Sequence, residues 1–424
     1  MPLSMSLNIA DIRRQFPILS RKIDGHPLIY LDSAATAQMP EAVADAMRKF
    51  DTESRANVHR GMHVLAEEAT VAYENARGTV ATFIGAKPHE VIFTKNCTEG
   101  LNLVAKSWGM KNLRKGDAVA LSRLEHHSSI VPWLQLKDEI GIEIVWIGID
   151  ETGMPKMEEL DAALATKKVK MIAVTGQSNV LGVRPDLSAI IKKAHAAGAL
   201  VTIDAAQLIA HHQIDVATLD CDFLAFSGHK LYGPTGIGVL YGKRKLLEAM
   251  PPFLGGGGMI GEVKKTGFTV ADIPQKFEAG TPPLTQAVGL AAAIEWIGRF
   301  SWKDIEDHES GLINTAIASL AKIPNLKILG SEQRTANSEQ AERLSLTAYR
   351  SGCMSFSLPA IHPHDLTEIL GRKGICLRAG HHCCQPLHDH FGIAASTRLS
   401  VGIYNTAEEI GSLVPAVEEA LKIL

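Results

Sequence analysis

The sequence lacks the features that mark membrane, nucleic-acid-binding and disulfide-stabilised proteins. No apolar run approaches the roughly 20 residues that a membrane-spanning helix needs. There is no long basic run and the net charge is −3, so we expect neither nucleic acid nor a membrane as a partner. Six cysteines in 424 residues do not make a disulfide framework, and the first residues lack the apolar core of a secretory signal. We therefore expect a cytoplasmic protein with reduced thiols.

What the sequence does contain is a long alternation of apolar runs and helix-like segments, from about residue 65 to residue 295. Hydrophobic residues make up 46% of the chain, which is enough for a large core and two domains. The alternation predicts an α/β fold with a mostly parallel sheet and helices on both faces. The predicted strands cover residues 91–94, 118–121, 144–149, 170–174, 200–203, 223–226 and 237–241.

The rhythm of the sequence changes after about residue 300. A helix-like segment comes first, and strand-like runs follow at 326–329 and 351–357. We expect a smaller α+β domain in this part of the chain. The predicted organisation is an N-terminal segment over 1–25 that packs with the small domain, a large ligand-binding domain over 26–298, and a small domain over 299–424.

Lys230 lies in a tight loop, SGHKLYGPTG over residues 227–236, between two apolar runs that we predict to be buried strands. A lysine in such a loop is held in a nearly dry pocket, where its charge is disfavoured and its pKa falls. A neutral amine is the nucleophile that forms a Schiff base. A structural ion pair is the alternative for this lysine taken alone.

Asp204 and Gln207 follow the apolar run 200–203 directly. An acid just past the carboxyl end of such a strand lies where α/β proteins bind ligands. Pyridoxal phosphate needs a buried carboxylate that keeps its pyridine nitrogen protonated, together with a Schiff-base lysine. A helix cap is the alternative for Asp204 alone, but its combination with Gln207 and Lys230 points to this cofactor.

A phosphate site is predicted where the strand 91–94 runs into CTEG, residues 97–100, and a helix begins. The free N–H groups of a helix start, with the Thr98 hydroxyl, bind anions well. We assign Thr98 and Glu99 to cofactor binding, and Ser227 and His229 beside the lysine as further donors. An N-cap without a ligand is the alternative for Thr98.

His126 follows the strand 118–121 in the segment EHHSSIVPW. Its imidazole could stack on a planar cofactor and carry protons. A hydrogen-bonded loop histidine is the alternative. Arg398, in STRLSVGIYN, could hold a substrate carboxylate through its two-pronged guanidinium, or pack between domains.

Cys383 lies in the cluster RAGHHCC, residues 378–384. Neighbouring histidines and an arginine can stabilise a thiolate, which makes a cysteine a nucleophile. A metal site that includes His388 and His390 is the alternative. Adjacent residues rarely ligate one ion, and no partner pair shows metal-ligand spacing, so we predict no metal.

These residues belong to a longer series of motifs, and with them the chain resembles the group II (Suf-type) cysteine desulfurases. That group lies in class V of the pyridoxal-phosphate-dependent, fold-type I aminotransferase superfamily. The resemblance runs from about Phe16 to the end, and RAGHHC separates group II from the other desulfurase group. The motifs include YLDSAATAQMP, NVHRGMH, CTEGLNLVA, EHHSSIVPW, SNVLG, IDAAQ, FSGHKLYGPTGIGVLYG, FEAGTPP, RAGHHC and RLSVGIYNT.

The resemblance implies a seven-stranded, mostly parallel sheet and a role for each site residue. Lys230 would form the Schiff base with pyridoxal phosphate, act as the general base and, with Cys383 and His126, form the catalytic set. For the cofactor, it implies that Asp204 pairs with the pyridine nitrogen, Gln207 contacts the phenolic oxygen, His126 stacks on the ring, and Thr98, Ser227 and His229 bind the phosphate. Thr281 would reach the phosphate of a partner subunit, which implies a homodimer.

For the substrate, the resemblance implies that Asn179 and Arg398 hold the carboxylate of L-cysteine and that Arg378 and His59 line the entrance. Cys383 would carry a persulfide, L-alanine would leave, and a Suf-type acceptor protein would remove the sulfur. A selenocysteine lyase is the alternative within class V. A non-catalytic sulfur-relay or metal-binding protein is the alternative of another class.

Two departures from the family pattern stand near these residues. Thr175-Gly176-Gln177 precedes the SNVLG run where the family usually has a histidine, which puts the local pocket shape in doubt. Cys384 follows Cys383 where the family usually has a small residue. Cys384 is then either a filler without a role or an acceptor for the persulfide on Cys383.

Overall fold

The structure is a computed structural model that describes residues 7–59, 61–331 and 350–423. The strands in these ranges are β1 Lys22–Ile23, β2 His26–Pro27, β3 Ile29–Tyr30, β4 Val91–Thr94, β5 Ala118–Ser122, β6 Glu143–Ile147, β7 Val169–Thr175, β8 Leu200–Asp204, β9 Phe223–Ser227, β10 Gly238–Gly242, β11 Ile260–Lys264, β12 Gly267–Val270, β13 Lys327–Ile328, β14 Cys353–Ser357, β15 Ile375–Cys376, β16 Arg378–Gly380 and β17 Ser396–Ser400.

The helices often begin and end at residues suited to those positions. Helix α3 ends at Gly85, whose φ of +72° favours glycine, and Asp186 caps the start of α8 through the N–H of Ala189. The helices are α1 Ile9–Arg14, α2 Glu41–Glu53, α3 Val64–Ile84, α4 Cys97–Leu103, α5 Met110–Asn112, α6 His127–Ile140, α7 Met157–Ala165, α8 Leu187–Ala196, α9 Leu208–His211, α10 Val216–Leu219, α11 Arg244–Ala249, α12 Leu284–Ile297, α13 Trp302–Leu320, α14 Pro363–Arg372, α15 Gln385–His390, α16 Ala407–Gly411 and α17 Leu413–Ile423.

The central sheet has seven strands in the order β4-β10-β9-β8-β7-β5-β6. Strand β10 runs antiparallel to both of its neighbours, and the remaining pairs are parallel. All seven predicted strands are present, and their ends differ from the prediction by at most two residues. The prediction of a mostly parallel seven-stranded sheet is therefore confirmed.

Helices cover both faces of this sheet, which explains why its inner strands are continuous apolar runs rather than alternating ones. Along β5, Ala118 and Ala120 pack into a core with α3, α8 and α12, while Val119 and Leu121 pack into a second core with α4 and α6. Each fully buried aliphatic side chain stabilises such a core by about 1.5–3 kcal/mol.

The C-terminal part forms a separate antiparallel sheet in the order β13-β14-β17-β16. Its strands pack against α13, α14 and α17 through a third apolar core that includes Met354 and Leu399. Strand β3 pairs in parallel with β15, so residues 29–30 join the C-terminal part and not the large sheet. This pairing does not coincide with the predicted start of the large domain at residue 26.

The N-terminal segment contacts both parts of the molecule. The ring of Phe16 packs edge-on against Trp296 at 5.3 Å and against Tyr404 at 4.9 Å between ring centroids. Arg13 forms an ion pair with Glu409 at 2.8 Å. The expectation that this segment packs with the small domain is thus incomplete, because Phe16 also lies in the core of the large sheet. In the described ranges no helix is both long and apolar enough to cross a membrane.

Candidate active site

A cavity of about 230 Å³ lies past the carboxyl ends of β7, β8 and β9, where parallel α/β sheets bind ligands. Residues from the large sheet and from the C-terminal sheet both line it. Eleven of the predicted site residues are among them: Thr98, His126, Asn179, Asp204, Gln207, Ser227, His229, Lys230, Arg378, Cys383 and Arg398. We call the walls formed by Thr98, His126, Asp204, Ser227, His229 and Lys230 the sheet side, and those formed by Arg378, His382, Cys383 and Arg398 the loop side.

Lys230 stands at the end of a short 3₁₀ turn, Gly228–Lys230, that follows β9 directly. Burial of the amine lowers its pKa, and the nearby Asp204 and Cys97 only partly oppose that effect. Among the described residues none accepts a hydrogen bond from the amine or pairs with it within 4 Å. The geometry therefore favours a nucleophilic lysine over the structural ion pair.

Asp204 is the last residue of β8 and is almost fully buried. Its Oδ1 atom accepts hydrogen bonds from the N–H of Ala206 at 2.9 Å and from the Cys97 thiol at 3.3 Å. No described residue donates to Oδ2. Burial raises the pKa of Cys97 well above its ordinary value, so this thiol stays a donor. One carboxylate oxygen is thus left for a cationic N–H group in the cavity.

Glu125 is a second buried carboxyl group near this wall, and sequence reasoning did not single it out. Its Oε1 accepts a hydrogen bond from the Ser122 hydroxyl at 2.6 Å. Burial raises the pKa of Glu125 to about 8, so it is largely protonated at neutral pH. It does not line the cavity, and this leaves Asp204 as the acid that faces it.

His126 is the N-cap residue of α6. Its Nδ1 atom accepts the backbone N–H of Ser128 at 3.1 Å and lies 2.7 Å from the Ser128 hydroxyl. The ring proton is therefore on Nε2. Burial lowers the pKa of His126 to about 4, so the ring is neutral at physiological pH. A neutral ring on the cavity wall can stack on a planar aromatic group.

The predicted phosphate donors lie at one corner of the sheet side. Asn96 caps α4 by accepting the N–H of Glu99 at 2.9 Å, so Thr98 is not the cap. Ser227 accepts the N–H of Cys97 through its hydroxyl oxygen at 2.9 Å, which leaves its own proton to donate. The Nδ1 atom of His229 lies 3.1 Å from the Thr36 hydroxyl, and its Nε2 has no described partner. Together these groups form a polar corner suited to an anion.

Arg398 and Arg378 lie directly opposite one another on β17 and β16. Arg398 donates from Nη2 to Asp32 at 2.9 Å and from Nη1 to the backbone oxygen of Asn179 at 3.1 Å, while its buried Nε has no partner among the described residues. Like charges on opposite residues are unfavourable. An anion in the cavity would relieve this repulsion, which suits a substrate carboxylate.

Cys383 follows β16 in a turn in which both His382 and Cys383 have left-handed backbone, with φ of +52° and +58°. Its backbone oxygen accepts the N–H of His127 at 2.7 Å, and its own N–H donates to Nδ1 of His381 at 3.2 Å. These bonds fix the backbone on both sides of a sulfur that lines the cavity and is only half-buried. A half-buried thiol at this place can meet a substrate.

The neighbouring Cys384 is fully buried, and its thiol donates to Oδ1 of Asn179 at 3.0 Å. Burial raises the pKa of this thiol far above its ordinary value. A protonated, enclosed thiol is a poor acceptor for a persulfide. Within the described ranges no group of three His, Cys, Asp or Glu residues is arranged to hold a metal ion.

Three predicted residues do not reach this cavity. Glu99 is not in the lining of the cavity: its N–H donates to the Asn96 side chain, and its carboxylate accepts the N–H of Lys95 at 2.5 Å. His59 lies 3.3 Å from Glu74 on the surface of α3. Thr281 lines a different cavity, beside α2. The roles assigned to Glu99, His59 and Thr281 stay predictions.

Two residues that sequence reasoning did not assign also shape the site. Asp32 forms an ion pair with Arg398. Its position in the YLDSAAT motif could have indicated this role from the sequence. Gln177 lines the cavity, donates from Nε2 to the backbone oxygen of Ser351 at 2.9 Å, and leaves its buried Oε1 without a partner.

The class of protein follows from comparison with known families. The family described as aminotransferase class-V matches residues 29–413 of the chain, and the chain belongs to this family. Enzymes of this family depend on pyridoxal phosphate.

The individual relatives are cysteine desulfurases. A probable cysteine desulfurase from Streptomyces coelicolor is 44% identical over 418 residues, covering 97% of each chain. A cysteine desulfurase from Haloferax volcanii is 42% identical and covers 99% of this chain and 98% of its own. Among solved structures, the apo cysteine desulfurase from Thermococcus onnurineus has a TM-score of 0.90 at 37% identity, and CsdA from Escherichia coli one of 0.88 at 39%. Each of these two matches covers 99% of this chain and 100% of the matched chain. The predicted fold class and family are confirmed.

Proposed function

We propose that the protein is a group II cysteine desulfurase that converts L-cysteine to L-alanine and carries the sulfur as a persulfide on Cys383. The single observation that supports this most is the shared cavity of Lys230, Asp204 and Cys383. A lysine of lowered pKa and a buried carboxylate support a pyridoxal-phosphate site. An accessible thiol across the same cavity adds a sulfur acceptor.

The residues of the sheet side fit the cofactor. The free oxygen of Asp204 could accept a hydrogen bond from the pyridinium N–H of the cofactor. The neutral ring of His126 could stack on the face of the cofactor ring, and the amine of Lys230 could react with the cofactor aldehyde. The polar corner would hold the phosphate. When bound, the cofactor supplies an electron sink that makes the α-proton of an amino acid acidic. Gln207 donates to the backbone oxygen of Ala34 at 2.8 Å, which fixes its amide at the cavity wall.

The loop side would bind and cleave the substrate. Asn179 and Arg398 would hold the substrate carboxylate, with Arg378 at the entrance. The neutral amine of Lys230 would take the proton from the α-carbon. The Cys383 thiolate would then attack the substrate sulfur. An S–S bond forms on Cys383, the C–S bond breaks, and its electron pair stays on the β-carbon of the substrate, which takes up a proton. The amine of Lys230 would return a proton to the α-carbon before alanine leaves.

The test is alanine formation from L-cysteine by the cofactor-loaded protein, next to Cys383→Ala. We expect alanine and a Cys383 persulfide from the parent protein and little alanine from the variant. If neither forms alanine although the protein holds the cofactor, the substrate assignment is wrong, and L-selenocysteine is the next substrate. Retention of full activity by Cys383→Ala would show that the sulfur leaves by another route.

A homodimer is part of this proposal. Thr281 faces a surface cavity of about 780 Å³ beside α2 rather than its own active site. Large apolar side chains are exposed at the start of α3 and on the β11–β12 hairpin, among them Met62, Val64 and Phe268. A second copy that covered them would remove these patches from water and bring Thr281 to the other site.

Subunit mixing tests this arrangement. Lys230→Ala and Thr281→Ala proteins are each expected to be impaired. In a mixed dimer, the site with an intact Lys230 receives Thr281 from the other subunit, so activity should rise on coexpression. If coexpression restores nothing, Thr281 does not act across subunits.

A Suf-type acceptor protein is proposed as the partner that removes the sulfur, and it should raise the steady-state rate of alanine formation.

A further inference from the structure

The side-chain amide of Asn179 contacts both residues that flank Cys383. Its Nδ2 donates to the backbone oxygen of His382 at 2.8 Å, and its Oδ1 accepts from the thiol of Cys384 at 3.0 Å. Asn179 is buried, and Cys384 is fully so. The amide thus joins the segment after β7 to the turn that carries the proposed nucleophile.

The chemistry of the two contacts fixes the orientation of this amide. A backbone oxygen only accepts, so the NH₂ group of Asn179 must face His382. The amide oxygen then faces Cys384, and a buried oxygen needs a donor. The protonated thiol provides one, and burial keeps the pKa of this thiol high. Without the thiol, the amide oxygen would lose its hydrogen-bond donor.

The turn that this amide holds has an uncommon backbone. His382 and Cys383 are successive non-glycine residues with positive φ, a conformation that persists where surrounding contacts fix it. The N–H of Cys384 donates to the His381 oxygen at 2.8 Å, and His388 donates to the Cys384 oxygen at 3.0 Å. Those bonds lie within the C-terminal part, whereas the Asn179 amide, together with the N–H of His127 that donates to the Cys383 oxygen, ties the turn to the part that carries the large sheet.

From these contacts we propose that Cys384 is a positioning residue, whose thiol holds the Asn179 amide and, through it, keeps the Cys383 sulfur at the cavity. This role differs from the two readings of the sequence, a filler without a role and an acceptor for the persulfide. Only the predicted change in kcat rests on the proposed function, since the reactivity of Cys383 can be measured without turnover.

The test compares Cys384→Ala, which removes the donor, with Cys384→Ser, which keeps a hydroxyl donor of similar size. Cys221→Ala is the matched control, because it removes another fully buried thiol that lies outside the cavity. The first readout is the rate of Cys383 alkylation by iodoacetamide, followed by peptide mass spectrometry. The second is kcat and KM for alanine formation from L-cysteine.

We expect Cys384→Ala to alkylate at Cys383 several-fold faster, because the turn is less restrained, and to lose about tenfold in kcat with KM within about twofold. Cys384→Ser should return both values to within about threefold of the parent, and Cys221→Ala should leave them unchanged.

Parent-like alkylation and kcat in Cys384→Ala would overturn the proposal, as would a serine variant as impaired as the alanine variant. A persulfide or a disulfide mapped to Cys384 in the parent protein during turnover would replace it with the acceptor role. If the parent forms no alanine at all, the proposed function fails, while the contrast in alkylation rates still decides the role of Cys384.

Discussion

The sheet side and the loop side of the cavity are built in different ways. On the sheet side, Asp204 and Lys230 come at or just after the ends of neighbouring buried strands, so the pairing of β8 with β9 sets their positions. On the loop side, Cys383 stands in a left-handed turn that is held by side chains from distant parts of the chain. On the loop side, strands β16 and β17 place the two arginines, and side-chain contacts hold the turn of Cys383.

This difference suits the two proposed tasks. A cofactor that stays bound is served by fixed groups on a sheet with apolar cores on both faces. A cysteine that receives sulfur and passes it on must meet a substrate on one side and an acceptor on the other. A short turn held by a few hydrogen bonds can serve both, because its restraint is local.

The largest effect is expected from Lys230→Ala. The variant loses both the amine that would link to the cofactor aldehyde and the proposed base, so alanine formation should fall by more than about 1000-fold. The measurement is the alanine assay together with the absorbance of the bound cofactor. Exposed Lys322→Ala is the control. Substantial activity in the Lys230→Ala protein would show that the sheet side does not supply an essential amine.

Asp204→Asn keeps the shape of the side chain and removes its charge. We expect alanine formation to fall by about 100-fold, because the charge that stabilises a cationic cofactor nitrogen is lost. The variant should still expose Cys383 to iodoacetamide at the parent rate, since Asp204 lies on the sheet side. A changed alkylation rate would show that the two sides are not independent.

Arg398→Lys tests the loop side. Arg398 spans Asp32 and the backbone of Asn179 with two separate nitrogens, and a lysine can replace only one of these contacts. We expect KM for L-cysteine to rise by about tenfold or more, with a smaller change in kcat. Equal losses in kcat and in kcat/KM, with KM unchanged, would argue that Arg398 does not bind the substrate in the ground state.

The same contrast explains what the sequence could predict. All seven sheet strands follow from their apolar runs, and Lys230 and Asp204 follow from their positions at strand ends. The contacts of Asn179 with His382 and Cys384 join residues about 200 positions apart, which spacing in the sequence does not encode. Glu99 was assigned to cofactor binding together with Thr98, whereas in the structure its N–H donates to the Asn96 side chain and its carboxylate accepts the N–H of Lys95.

The smallest expected effect concerns stability on the sheet side at low pH. Burial lowers the pKa of His126 to about 4, below the value of about 6.5 expected in the unfolded chain. The unfolded state therefore binds a proton more readily between these values, so His126 stabilises the fold fully above pH 6.5 and loses this contribution as the pH falls towards 4. Between pH 7.5 and pH 5 the loss from this residue should be about 1–2 kcal/mol.

Urea unfolding of cofactor-free protein at the two pH values measures this loss. His126→Gln should reduce the pH-dependent difference by that amount, whereas His26→Gln at an exposed position should not. A His126→Gln protein with an unchanged pH dependence would mean that the ring is not held neutral, and then it could not serve as the uncharged face proposed for the cofactor. A reduced pH dependence of stability would instead show that the folded protein alone keeps the His126 ring neutral, because the measurement is made without any ligand in the cavity.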